Sequence, residues 1–160
     1  VVGSGADKFT PELAERARKL IEEIFKDEDA VLVSGRSPVG GIDVWAEEIA
    51  DSLPRMKIIH APEVEQWNPP GRYGYKARNL DIAKDSDVLH VIVVTNYPPE
   101  YRGMRFSSCY HCGTDTHVKS GGCWTGKQAL KMGKEVVWHV LRGLNKPPVK
   151  ALLADEPTHD

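Results

Sequence analysis

Long apolar runs are missing from this 160-residue chain. None approaches the roughly 20 residues that span a bilayer, and the first thirty residues lack the basic, apolar and cleavage regions of a secretory signal. These absences predict a soluble cytoplasmic protein with no membrane partner. A dominant charge is missing too: 21 Lys and Arg against 23 Asp and Glu leave a formal net of −2. No global field draws the chain to DNA or RNA, so nucleic-acid binding is not favoured unless through a local basic patch. Cysteine is scarce. Three cysteines cannot pair completely, which argues against a disulfide framework, and the C-x-x-C spacing of two of them points to metal or redox chemistry. No internal repeat is present, so one globular domain with a single core is expected, burying about 70% of its extended-chain surface. Its expected extent is 1–145, with an insertion at 96–121 and a tail at 146–160. Self-association into a homo-oligomer is left open.

What the sequence does contain is alternation. Val1-Val2-Gly3-Ser4-Gly5 reads as a strand end breaking into a glycine turn. Pro11 to Phe25 follows with Leu13, Ala17, Leu20, Ile21, Ile24 and Phe25 at helical spacing. Val31-Leu32-Val33 reads as a strand and Ile42 to Leu53 as a helix. Met56 to Ile59 is a third strand, 61–72 an irregular loop, and Tyr73 to Lys84 a helix. DVLHVIVVT, Asp87 to Thr95, is the longest apolar strand and is expected at the centre, buried on both faces. Gly122 to Met132 reads as the last main helix and Glu135 to His139 as the last strand. This order predicts a three-layer Rossmann-like α/β fold: an open parallel sheet of about five strands with helices on both faces, plus a Cys/His-containing insertion. Ligands of such sheets bind outside the carboxyl ends of the strands.

Two glycine segments fall at those ends. In SGRSPVGGID, Ser34 to Asp43, a strand turns through three glycines into a helix start, where free amides and the helix dipole favour phosphate. Arg36 and Ser37 add side-chain donors. The other reading is a tight turn that uses glycine for backbone reasons alone. GGCWTGK, Gly121 to Lys127, has phosphate-loop spacing, but Gln128 stands where that motif needs a magnesium-holding hydroxyl. No later strand ends in the acidic partner. Phosphate held without magnesium is the expectation.

The order VVGSG, VLVSGRSPVGGIDVWAEEIADSL, YKARNLDIAKDSDVLHVIV and GGCWTGKQALKMGKEVVWHV resembles the SLOG superfamily of Rossmann-like proteins. That superfamily includes lysine-decarboxylase-like phosphoribohydrolases and the DNA-processing protein A fold. The resemblance covers about residues 1–140 outside the insertion. Ser34-Gly35 and Gly41-Ile42-Asp43 look like its SG…GID loop, Arg78-Asn79 like its RN pair, and Gly121-Gly122 with Thr125 like its GG-x-GT loop. It implies a nucleotide or nucleotide-derived ligand held by Gly3, Ser4, Ser34, Gly35, Arg36, Gly41, Arg78, Asn79, Gly121, Gly122 and Thr125. Arg78 is suited to a bidentate phosphate contact, the alternative being an ion pair with Asp81 or Asp85. The chain departs from the phosphoribohydrolase branch at Gln128, where that branch carries its catalytic glutamate. Asp43 or Glu47 would have to serve any N-glycosidic hydrolysis, the alternative being a solvated face or cap.

Cys109, Cys112, His117 and Cys123 are spaced C-x2-C-x4-H-x5-C, a complete donor set for structural zinc, with Gly113 easing the turn. Free or redox-active thiols are the competing reading, although a thioredoxin-like pair belongs at a helix start. His111 competes with His117 for the nitrogen position. His60, His90 and His139 read as packed or loop residues. Three functions follow: a nucleotide-ligand sensor or hydrolase; a DNA-processing-like module gripping single strands through the knuckle with Tyr110, Arg102 and Arg105; and an interaction domain that binds no small molecule.

Overall fold

The computed structural model describes residues 1–143. The expected tail at 146–160, with His159, lies outside the described residues. Helix α1, Pro11–Ile24, starts where Thr10 caps it: the Thr10 hydroxyl accepts from the Leu13 amide at 3.2 Å, with Pro11 in the first turn. Both features stabilise a helix N-terminus. Its buried stripe is Leu13, Ala17 and Ile21. Strand β2, Val31–Ser34, precedes helix α2, Ile42–Ser52, and strand β3, Met56–Ile59. Helix α3, Tyr75–Asp85, begins two residues later than its periodicity suggests. Gly74 is its N-cap, and the carbonyls of Gln66 and Trp67 take the amides of Tyr75 and Lys76, each at 2.8 Å. The irregular loop is thereby pinned to the head of α3. Strand β4, Val88–Val94, helix α4, Gly121–Lys131, and strand β5, Glu135–Leu141, complete the chain after the two-residue strand β1, Val2–Gly3.

The single five-stranded sheet expected from patterning is not what forms. The strands fall into two parallel ladders, β1-β4-β5 and β2-β3. Strand β1 offers only Val2 and Gly3, which pair with Val91 and Ile92. Beyond it the Ser4 carbonyl turns to the Ile42 amide of α2 at 3.3 Å, so no β1 backbone continues alongside β2. Strand β4, seven residues like β5, is central in its ladder, as its sequence predicts. Ile92 and Val94 join the cluster built from Leu13, Ala17 and Ile21 of α1 and Ile42, Ala46 and Ile49 of α2. Leu89, Val91 and Val93 join Ile82 and Ala83 of α3 and Ala129 of α4. Alternate side chains of one strand thus enter two different clusters.

The insertion leaves and re-enters at the carboxyl end of this ladder. Thr95 donates to the Leu141 carbonyl at 3.0 Å, and Val118 donates to the Val94 carbonyl at 2.8 Å. Between these ties the chain has little apolar content to bury. Arg105 organises its first half, bonding the Pro98 carbonyl at 3.1 Å and the Tyr101 carbonyl at 3.2 Å. Its guanidinium also lies 5.5 Å from the Tyr97 ring and 5.7 Å from the Tyr101 ring.

Candidate metal centre and ligand cavity

The second half of the insertion folds into a tight knuckle. Cys109 donates to the Thr114 carbonyl at 2.7 Å, and its own carbonyl accepts from Cys112 at 3.2 Å and Gly113 at 2.7 Å. Gly113 supplies the positive φ, 73°, that the turn requires. This geometry points the Cys109 and Cys112 thiols to one side. His117 follows, and its Nδ1 lies 2.7 Å from the Val118 carbonyl. A carbonyl can only accept, so Nδ1 carries the proton and the Nε2 lone pair faces Cys112 Sγ at 3.4 Å. That orientation is the one a metal-ligating imidazole takes, held by its outer hydrogen bond. Cys123 enters from the first turn of α4 and is fully buried. The four donor atoms lie within 4.8 Å of one another and could hold a metal ion. Of the two competing histidines, His117 is in this group. His111 is not.

All three cysteines are free. Crowded together they cannot all ionise unaided: hydrogen bonds from Cys109 and Cys123 pull the Cys112 thiol far down, while Cys109 and Cys112 push Cys123 up. A cation among them removes the conflict, because each thiolate then faces positive charge. The donor set therefore fits a metal.

Beside the knuckle lies a cavity of about 720 Å³ at the carboxyl ends of β1 and β2, open over the heads of α2, α3 and α4. Gly3, Asp43, Arg78, Asn79, Gly121, Gly122 and Thr125 all line it. Ser4, Ser34, Gly35, Arg36, Gly41 and Glu47 do not; they build its frame. The Ser34 hydroxyl donates to Glu47 at 2.7 Å, and Arg36 Nε reaches the other Glu47 oxygen at 3.2 Å. Glu47 thus ties down the loop from behind. A Cβ on Gly41 would sit 2.5 Å from the Ser4 carbonyl, and one on Gly35 would collide with the Arg78 guanidinium. Ser4 is buried, and its hydroxyl has no hydrogen-bond partner among the described residues.

Arg78 is not the surface ion pair considered from sequence. It is buried, donating from Nη1 to the Gly35 carbonyl and from Nε to Asn79 Oδ1 at 2.7 Å, with its guanidinium 5.3 Å from the Tyr75 ring. Asp81 instead accepts from Tyr73 at 2.6 Å, and Asp85 meets His60 at 2.6 Å. Burial raises the Asp43 carboxyl above its ordinary range, and the charge of Arg78 opposes that rise. Of the two carboxylates considered from sequence, Asp43 is the one that faces the cavity. The expected glycine loop at 121–122 is the first turn of α4, capped where Ser120 Oγ accepts from Gly122 at 3.1 Å. Thr125 turns its hydroxyl to the Gly121 carbonyl at 3.1 Å.

Sequence reasoning missed the cavity's aromatic wall. Trp67, Tyr75, Tyr110, His111 and Trp124 line it, with Lys119 among them. The available signal was two tryptophans and a tyrosine set in polar, turn-rich segments where no core of their own could bury them. Compared with known protein families, curated proteins and solved structures, the chain matches none.

Proposed function

We propose that this protein binds a nucleotide or nucleotide-derived ligand in the cavity above α2, α3 and α4, next to a structural zinc site. One observation carries the reading. Seven residues from four segments far apart in sequence, singled out for ligand contact or catalysis, line a single cavity of about 720 Å³. That volume falls within the range of small-molecule sites. The phosphate is held without magnesium, by amides at the glycine-bearing ends of the strands and by Lys119, with Arg78 fixing the floor. The resemblance to SLOG proteins points the same way.

Zinc is the metal of choice because three thiolates and one imidazole are its usual structural set. A tetrahedral zinc with bonds of about 2.3 Å separates its ligands by about 3.8 Å. Donors already within 4.8 Å need only a small contraction. Four protein donors leave no open position, so the metal braces the fold and takes no part in chemistry.

Asp43 is the carboxyl that would exchange a proton with a bound ligand, since its burial keeps it protonated to higher pH. Cleavage of the ligand's N-glycosidic bond is the reaction it would serve. Calorimetric titration with a panel of nucleoside monophosphates in magnesium-free buffer tests the binding. Saturable binding of at least one, unchanged on adding magnesium, is expected; no binding by any member overturns the reading. Release of free base, abolished by Asp43→Asn with binding retained, would make the site an enzyme.

A single-strand reading draws on Phe106 and Tyr110, both exposed, with Lys119 lying 5.0 Å and 5.2 Å from their rings. Arg105, one of the residues named for gripping the strand in that reading, is committed to carbonyls of its own loop. Tight, steeply salt-dependent binding of an oligonucleotide would favour it.

A further inference from the structure

Four aromatic side chains of the cavity come from three separate segments, and two of them belong to the metal knuckle. Trp67 and Trp124 meet edge to face, their ring centroids 4.8 Å apart at 82°. His111 lies 6.3 Å from Trp67, and Tyr110 lies 4.5 Å from His111. All four line the cavity, yet Trp67 is 40% and Tyr110 61% exposed. Leaving that much ring surface in water forgoes burial that a core would exploit. Rings kept open and side by side at a cavity wall are the arrangement on which a planar ring stacks.

The supports of these rings are rigid. The Trp67 carbonyl accepts from Lys76 at the head of α3. Trp124 follows Cys123 within the first turn of α4. Tyr110 and His111 are the two residues between Cys109 and Cys112, so whatever ties those thiols together fixes both rings. Lys119 places a cation on the same wall, 5.2 Å from the Tyr110 ring.

We propose that Trp67, Trp124, Tyr110 and His111 form the subsite for the ligand's planar base, and that the metal centre holds the Tyr110-His111 half of it in place. The ligand class is a heteroaromatic base carrying a sugar phosphate: the base lies against the ring wall, and the phosphate lies toward Lys119 and the glycine-bearing strand ends. This assignment rests on the nucleotide reading above and adds where the base lies and why the zinc knuckle sits beside it. Loss of the metal frees the knuckle, so base recognition is lost while the phosphate cradle at the glycine-bearing strand ends stands.

The experiment compares adenosine monophosphate with ribose phosphate, which lacks the base, by calorimetry on the full metal-loaded protein and on Trp67→Ala, Tyr110→Ala and Cys112→Ser. Each variant is expected to weaken the nucleotide at least tenfold, about 1.4 kcal/mol, and to leave ribose phosphate within twofold. Tyr110→Phe, which keeps a ring, restores the nucleotide. If the wild type binds neither compound nor any other nucleoside monophosphate, the nucleotide reading itself falls. If it binds both and the ring variants weaken the two equally or not at all, the base subsite alone is overturned. A Cys112→Ser protein that loses metal yet binds the nucleotide as the wild type does overturns the metal's role. Should Cys112→Ser fail to fold, the difference between Tyr110→Ala and Tyr110→Phe still decides the subsite, and zinc removal monitored by tryptophan emission decides the coupling. An oligonucleotide that binds over tenfold more tightly than the mononucleotide assigns the rings to a nucleic-acid strand and overturns the proposal.

Discussion

Gly122 sits directly on Gly3: a Cβ on Gly122 would lie 2.9 Å from both the Cα and the amide nitrogen of Gly3. The head of α4 and the end of β1 therefore meet backbone to backbone, and both surfaces line the cavity. Glycine at 122 serves helix packing at least as directly as ligand approach. Gly121, one residue away, faces open space.

Gly122→Val is accordingly expected to push α4 off β1, costing about 1 to 3 kcal/mol as overpacking does, and to disturb the metal through Cys123 on the same turn. Gly121→Ala should leave stability unchanged or raise it by up to about 1 kcal/mol, the helix preference of alanine. Denaturant unfolding and elemental analysis of both variants check this. A Gly122→Val protein with wild-type stability would show that the contact yields freely.

The metal-loaded protein should carry one equivalent of zinc. Cys109→Ser and Cys112→Ser should each lose it, because two thiolates and one imidazole leave a structural site incomplete. Inductively coupled plasma analysis of protein prepared without chelator measures the ratio, and its thermal midpoint should fall when a chelator is added. Metal-free wild type with an unchanged midpoint would leave the cluster as free thiols.

Arg78→Ala removes the donors to the Gly35 carbonyl and Asn79 and leaves Asp43 without its buried cation. The expected cost is about 2 to 4 kcal/mol in unfolding free energy, because unpaired buried polar groups are costly. Asp43 should titrate at still higher pH in the variant, since Arg78 opposes the rise that burial causes. Carbon-detected NMR titration of the Asp43 carboxyl reads that shift directly. An Asp43 titration unmoved by the substitution would mean the two charges do not interact.

His90 and His139 stack across the β4 and β5 ladder, rings 5.3 Å apart with Nδ1 to Nε2 at 3.0 Å. Burial first, then the neighbouring His139, lowers His90 to about 4. Between pH 6.5 and about 4 the unfolded chain binds a proton at this position that the folded chain refuses, so stability falls as pH drops through that window. His90 is partly accessible, so solvent screening reduces the effect to about 1 to 2 kcal/mol. Chemical denaturation across the window should show wild type losing that much relative to His90→Gln. Parallel pH profiles for the two proteins would remove the histidine pair from the acid response.

Local order in the sequence determined the elements and the metal donors. Helical spacing from Leu13 to Ile24 and the unbroken apolar run of β4 place their side chains through backbone geometry alone, which is why the elements were legible. The knuckle was legible for the same reason: Cys109, Cys112, His117 and Cys123 fall within fifteen positions, and a tight turn leaves their side chains few directions to point. Tertiary structure decided what depends on distant approach. It split the strands into two ladders because β1 ends at Gly3 and its continuation is bonded to α2. It selected His117 over His111 through a bond to the Val118 carbonyl, and Asp43 over Glu47 through which carboxylate the cavity reaches. It also brought Trp67 to Trp124 across 57 positions of sequence. No periodicity encodes that meeting, because it is fixed by how α3 and α4 pack and not by either segment alone.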